Sequence, residues 1–219
     1  ESAESRVIGA FGRACADLVA SLQERLSSAA ELRILLGDSR DLGGVLRGQE
    51  FTTVITSPPY PNRMSYIREL RPYMYWLGYI HEAREAGELD WKAIGGTWGC
   101  ATSNLTSWTP RRDAPIPNAD FSSILEQIAE QSPLLSTYVH KYFEDAVLHV
   151  RSLAPLLTRG ARAHYVVGNS KFYGVMLPTE RLYADILREA GFEDVEFRAI
   201  RKRSSKKELF EFVVSATAV

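Results

Sequence analysis

Ser57-Pro58-Pro59-Tyr60 is the stretch of this sequence whose residue types and spacing could do chemistry. It follows the run Phe51-Thr52-Thr53-Val54-Ile55-Thr56, whose β-favouring residues predict a short strand. Two prolines then forbid the strand's continuation, because neither can donate to a sheet ladder. A small hydroxyl therefore stands where the strand breaks, followed by a stiff backbone and an aromatic ring. Carbonyls locked by the prolines can accept hydrogen bonds there, and Tyr60 can stack on a flat substrate. A plain turn also uses Ser-Pro-Pro. Position argues for a site, since open α/β sheets bind ligands at the carboxyl ends of their strands.

Other strand ends carry candidates of the same kind. Asp38, after Arg33-Ile34-Leu35-Leu36-Gly37, offers a carboxylate to a ligand's amino or hydroxyl group; the other reading is a cap on a following turn or helix, through Asp38 or Asp41. Asn169 ends the run Ala163-His164-Tyr165-Val166-Val167, in which His164 reads as a packed or edge residue. Beside the prolines, Asn62, Arg63 and Tyr66 open a segment in which Arg68 and Arg71 alternate with Tyr73, Tyr75, Trp76 and Tyr79. Arginines among aromatics suit stacked bases and phosphates. Ile67, Leu70, Met74 and Leu77 fall on one helical stripe there, so part of this richness reads as core. The densest basic run is Arg201-Lys202-Arg203-Ser204-Ser205-Lys206-Lys207, either a solvated hairpin tip or a phosphate-contacting loop.

The elements that must position these residues read as helix, strand, connection, strand, the rhythm of a parallel sheet. Val7, Ile8, Phe11, Ala14, Cys15, Leu18, Val19, Leu22 and Leu26 make one apolar stripe on a helix from about residue 3 to 28, with Cys15 expected to be buried on it. Residues 33–37 read as a short buried strand. Residues 82–137 lack a clean period and read as loop-rich, with one helix near Phe121 to Ala129. From Tyr138 a helix with Phe143, Ala146, Val147, Val150 and Leu153 on one face leads to the strand ending at Gly168. Pro178 starts a helix that Gly191 terminates. Two last strands, Val195 to Ile200 and Leu209 to Ser215, are close enough to be antiparallel neighbours.

Composition sets outer limits. The chain has 219 residues, 45% hydrophobic and 24% charged, with a net charge of -1, as in ordinary globular proteins. Such a balance does not announce nucleic-acid binding, though a local basic patch can supply it. Two cysteines give neither a disulfide framework nor a metal set, and four scattered histidines show no ligand spacing. A reducing cytoplasm is the expected location, with no membrane span. Because the sequence opens at Glu1 inside a helical pattern, it reads as a piece of something longer.

Taken together, these residues resemble the amino-methyltransferases that act on DNA. Ser57-Pro58-Pro59-Tyr60 is similar to their catalytic tetrad of Asp, Asn or Ser followed by Pro-Pro and an aromatic residue. Thr56 before it and Asn62-Arg63 after it are closer still to the subgroup with Ser in first place. Gly37-Asp38, Val167-Gly168-Asn169-Ser170 and Arg203-Ser204-Ser205-Lys206 resemble the same group, in the right order. The similarity covers most of the chain and is weakest over residues 82–137. The resemblance implies an α/β fold, a partial Rossmann-like class I methyltransferase sheet. Residues 1–60 and 138–219 would form its core, and 61–137 a loop-rich or helical insert serving as lid or target-recognition region.

What the resemblance implies for function is methylation, dependent on S-adenosyl-L-methionine, of an exocyclic amino group on a flipped DNA base. Cytosine N4 is favoured, with adenine N6 the other candidate. Ser57, Pro58, Pro59 and Tyr60 would be catalytic; Asp38, Ser57 and Asn169 would contact the cofactor. Asn62, Arg63, Tyr66, Arg203, Lys206 and Lys207 would contact DNA, and no metal is implied. Family members also carry a Gly-rich cofactor turn that this sequence lacks; Gly43-Gly44 and Gly95-Gly96 stand in the wrong context. A second chain or missing segment is therefore expected to supply it. The alternatives are a catalytically incomplete subunit that binds DNA or a partner, and a methyltransferase of RNA or of a protein amide.

Overall fold

A computed structural model describes residues 3–25, 31–62, 65–96, 100–203 and 208–219. The chain divides into two units, Glu1–Leu36 and Gly37–Val219.

In the first unit, helix α1 (Ala3–Arg25) forms where the apolar stripe requires it. Cys15 is exposed rather than buried, as are Val7, Ile8, Phe11, Leu18, Val19 and Leu22. Periodicity marks which face of a helix is apolar; it cannot supply the surface that covers it. The buried strand expected at 33–37 is also absent. Residues 31–38 form no regular element and join neither sheet, and Ile34 is 88% exposed. A strand exists only through a ladder partner, which an apolar run does not reveal.

The second unit is mixed α/β. Its main sheet has the order β1-β2-β6-β5, formed by β1 (Phe51–Thr56), β2 (Leu157–Gly168), β6 (Phe210–Thr217) and β5 (Glu193–Lys202). β1 runs parallel to β2, while β6 is antiparallel to both β2 and β5. Parallel neighbours need a crossover, and here it holds α3 (Tyr66–Trp76), α4 (Ala83–Lys92), α5 (Cys100–Ser107), α6 (Phe121–Ala129) and α7 (Pro133–Leu153). Ser132 caps α7 by accepting from the Leu135 amide at 3.3 Å, with Pro133 next to it. The expected face of α7, Phe143, Ala146, Val147, Val150 and Leu153, is buried. It packs with Ala161, Ala163, Tyr165 and Val167 of β2, whose spacing of two puts them on one face. Helix α8 (Thr179–Glu189) adds Leu182, Ile186 and Leu187 to the same core and ends at Gly191, whose φ of +91° suits a residue without Cβ. His164 lies on the other face of β2 and reaches Ser215 of β6 at 2.9 Å.

Elsewhere in this unit, two expectations need correction and one element is new. Residues 82–137 contain α4 and α5 besides the helix at Phe121–Ala129. Helix α4 begins in a capping box that uses Glu82 in place of the usual small residue, with Glu85 accepting the Glu82 amide at 3.1 Å. The stripe on α3 is not core: Ile67 and Met74 are half-buried, while Leu70 and Leu77 are exposed. A small hairpin, β3 (Ser170–Phe172) with β4 (Val175–Leu177), follows β2; Tyr173 and Gly174 turn it with positive φ.

Residues 38–46, which include the short helix α2 (Leu42–Leu46), run along α7. The Leu42 amide donates to Ser152 Oγ at 2.6 Å, and the Ser39 carbonyl accepts from His149 Nδ1 at 2.9 Å. That bond assigns the proton to Nδ1, leaving Nε2 to accept from the Tyr165 hydroxyl at 3.0 Å. Burial holds the His149 imidazole below its ordinary range, against the pull of the Ser39 carbonyl. His140 is lowered by burial as well. Both rings bind protons more readily in the unfolded chain, so stability rises with pH up to the unfolded value of about 6.5. Urea unfolding should show a falling midpoint as pH drops below that value, with a shallower fall in His149→Gln.

Candidate functional site

The chain breaks β1 where the prolines demand, and the break lies at an edge to which every strand of the main sheet contributes. β1 and β2 end there at Thr56 and Gly168, β5 ends at Lys202, and β6, being reversed, begins there at Phe210. The register fixes this edge, pairing Thr56 with Tyr165, Gly168 with Glu211, and Lys202 with Phe210.

Ser57 is exposed, and its hydroxyl donates to the Val166 carbonyl at 3.2 Å. Pro58 is buried. The Pro59 carbonyl turns inward and accepts from the Tyr142 hydroxyl at 2.6 Å. Tyr142 in turn stands 3.2 Å from the Tyr183 hydroxyl, and both rings are fully buried, at 1% and 0% exposure. Burial pushes both phenols up, so they stay protonated and able to donate. Nothing in the sequence singles out Tyr142 beyond its place among the apolar residues of α7.

Tyr60 lies against Gly168. A Cβ on Gly168 would meet the Tyr60 ring atoms Cδ2 and Cε2 at 2.9 Å and Arg203 Nη1 at 2.8 Å. Glycine is needed here for close approach rather than for a special φ. The Arg203 guanidinium stands 5.0 Å over the Tyr60 ring and donates from Nη1 to the Asn169 carbonyl at 3.0 Å. Burial raises the Tyr60 phenol; a hydrogen bond with Ser57 opposes this, Glu211 adds to the rise, and Arg203 opposes it. Asn62 follows in a tight turn, its amide donating to the Tyr60 carbonyl at 2.7 Å.

Asn169 is buried, with both ends of its amide engaged. Oδ1 accepts from the Phe210 amide at 2.9 Å, and Nδ2 donates to the Glu208 carbonyl at 3.1 Å. It thereby ties the end of β2 to the segment that follows the basic loop. Asp38 sits elsewhere, clasped by Arg40 at 2.7 Å, whose hydrogen bonds hold the carboxyl below its usual range. Arg40 continues to Asp145 at 2.8 Å, and Asp145 also binds Lys141 at 2.6 Å. One turn of α7, residues 141–145, thus holds both the Pro59 carbonyl and the ion network that carries Asp38.

The structure therefore brings together Ser57, Pro58, Pro59, Tyr60, Asn169 and Arg203. Tyr66 is an exposed residue opening α3. Arg63, Lys206 and Lys207 lie outside the described residues. Between α3 and α4 there is a cavity of about 110 Å³ lined by Ser65, Arg68, Arg71, Gly87 and Asp90, which includes none of residues 57–60. Among the described residues, no group of three or more His, Cys, Asp or Glu could hold a metal ion, and no helix is long and apolar enough to cross a membrane. No protein-family model matches the chain, and no curated protein matches it.

Packing around Gly168 gives a test of this arrangement. Gly168→Ala should cost about 1–3 kcal/mol through overpacking. In a Tyr60→Ala background the penalty should shrink, because the ring that the new methyl strikes is gone. Urea unfolding of the four proteins in this double-mutant cycle measures the coupling.

Proposed function

We propose that this chain forms the acceptor side of a DNA amino-methyltransferase, on a partial Rossmann-like class I sheet. The observation that carries the reading is the Ser57-Pro58-Pro59-Tyr60 break at the carboxyl end of a parallel strand, with the Ser57 hydroxyl exposed and the Pro59 carbonyl fixed from behind by Tyr142. An exocyclic amino nitrogen is a poor nucleophile because its lone pair is delocalised into the ring. The Ser57 hydroxyl and the Pro58 carbonyl accept hydrogen bonds from it and favour a pyramidal nitrogen. Preorganised dipoles of this kind do their work without reorganising during the reaction.

Two separate acceptors of this chain suit S-adenosyl-L-methionine. Ser57 is exposed, and the half-exposed Asp38 carboxylate, kept ionised by Arg40, can accept from an amino or hydroxyl group. When bound, the cofactor would supply a methyl group on cationic sulfur for attachment to the amino nitrogen, its sulfur leaving as a neutral thioether and one N–H proton passing to water. The Gly-rich turn that completes such a pocket is not in this sequence, and we assign it to another segment or chain. Among the described residues β1 is an edge strand of the main sheet, with Ile55 77% exposed.

A base inside a duplex is out of reach, so it must be flipped, at a cost of a few kcal/mol. Stacking on Tyr60, with Arg203 moved off the ring toward a phosphate, would return roughly 1–3 kcal/mol of this. Arg203, already over that ring, and the basic residues that follow it suit the flanking phosphates. Cytosine N4 is the favoured target and adenine N6 the other. The missing Gly-rich turn favours a second reading, a catalytically incomplete subunit that binds DNA or a partner.

Mass spectrometry of DNA nucleosides separates the two readings. With the completing segment present, Ser57→Ala should lower methylation roughly 100-fold. Tyr60→Ala should weaken use of the base by about 1–3 kcal/mol. Both variants should stay folded. Undiminished methylation by both would remove the proposed site.

A further inference from the structure

We infer that the cavity between α3 and α4 is a second nucleotide site, taking a cytosine ring inside and its phosphate at the mouth; the inference rests on the DNA reading. On α4, Ala83, Ala86, Gly87 and Asp90 stand at i, i+3, i+4 and i+7, which puts them on one helix face. Ala83 is exposed while Ala86, Gly87 and Asp90 are buried, so the slot deepens along the helix toward Asp90. Alanine and glycine keep that wall thin, and Ile67 of α3 also lines the slot. At the inner end, Ser65 and Asp90 are each 2% exposed. The Ser65 hydroxyl caps α3 by accepting the Arg68 amide at 3.0 Å, and it donates to Asp90 Oδ1 at 2.5 Å. Arg68, exposed, and Arg71, half-buried, lie three residues apart on α3 and form the outer part of the slot.

These groups select a ligand with two unlike ends. A carboxylate offers about four lone-pair sites and no donor, so the inner end calls for an N–H. Two guanidiniums at the mouth call for an anion, and arginine grips a phosphate through paired N–H groups. A bare anion that enters meets Asp90, and a lysine or arginine side chain has to pass two like charges. A nucleotide satisfies both ends. The volume of about 110 Å³ holds roughly four waters, which admits one flat ring and leaves sugar and phosphate outside. Cytosine is the single-ring base of DNA with an exocyclic amino group, and carboxylates accept from its N4. Thymine instead sets a carbonyl on each side of its one ring N–H. The slot includes none of residues 57–60, so its nucleotide is not the one whose amino group reacts.

Calorimetric titration of the full protein with dCMP, dTMP and inorganic phosphate tests the slot. Affinity for dCMP should exceed that for dTMP and for phosphate by roughly 10-fold, the worth of one hydrogen bond to a charged group. Ala86→Leu, which fills the slot, should abolish this preference. Arg71→Gln, at the outer part and safer for folding, should weaken dCMP binding by roughly 10-fold. Fluorescence anisotropy with single-stranded oligo-dC and oligo-dT then distinguishes the source of the nucleotide. A preference for oligo-dC that Ala86→Leu removes supports a strand threaded through the slot; a preference seen with dCMP alone supports a free nucleotide. Equal affinity for dCMP and dTMP overturns the inference, as does a preference that Ala86→Leu and Arg71→Gln both leave intact, and either result leaves the methyl-transfer reading standing. Slot-dependent dCMP binding without methylation of any DNA amino group keeps the nucleotide site and removes that reading.

Discussion

Two consecutive prolines at the end of β1 are the constraint on which the rest of the site depends. They remove two main-chain donors at once, so the strand cannot go on pairing, and they leave carbonyls that the ladder does not use. One of these, on Pro59, is drawn into the core by Tyr142, at 2.6 Å. A buried carbonyl needs a partner, and a phenol backed by a second phenol supplies it without placing a charge there. Fixing that carbonyl inward determines what the rest of the turn can present outward.

The same turn of α7 does a second task. Asp145 joins Arg40 and Lys141, all three little exposed, and Arg40 in turn holds Asp38. Removing one member would leave the others as uncompensated charges, which is costly, so the network fixes the Asp38 turn against α7. Around Tyr60 the logic is steric. Gly168 has no side chain because the ring lies where one would go, and Asn169 spends its amide on the backbone at 208–210. The residues that resemble motif positions therefore include supports as well as contacts.

Much of this fold was legible in the sequence because local rules and tertiary environment agree. The strand at 51–56, its break, the helix with Phe143, Val147 and Val150, the strand ending at Gly168 and the closing antiparallel pair all carry periodicity or terminator residues that mean what they say. The misreadings have two causes. Cys15, residues 33–37 and the α3 stripe are apolar in the right rhythm but are not core among the described residues, and rhythm alone does not report burial. Helices α4 and α5 lack a strong apolar period, and the Glu82 cap hides the start of the first. At the site, Ser57 and Tyr60 could be found by position. Tyr142 could not, because a tyrosine bonding a distant carbonyl looks like any other residue on a core helix.

The central claim is that the Pro-Pro break accepts an amino group of a DNA base. Incubating the full protein with isotopically methyl-labelled S-adenosyl-L-methionine and a mixture of DNA, RNA and protein tests it most directly, with the label located after digestion. The account predicts label on an exocyclic nitrogen in DNA, as N4-methylcytosine or N6-methyladenine. Label on a ring carbon, in RNA or on a protein amide, with none on a DNA amino group, would contradict it.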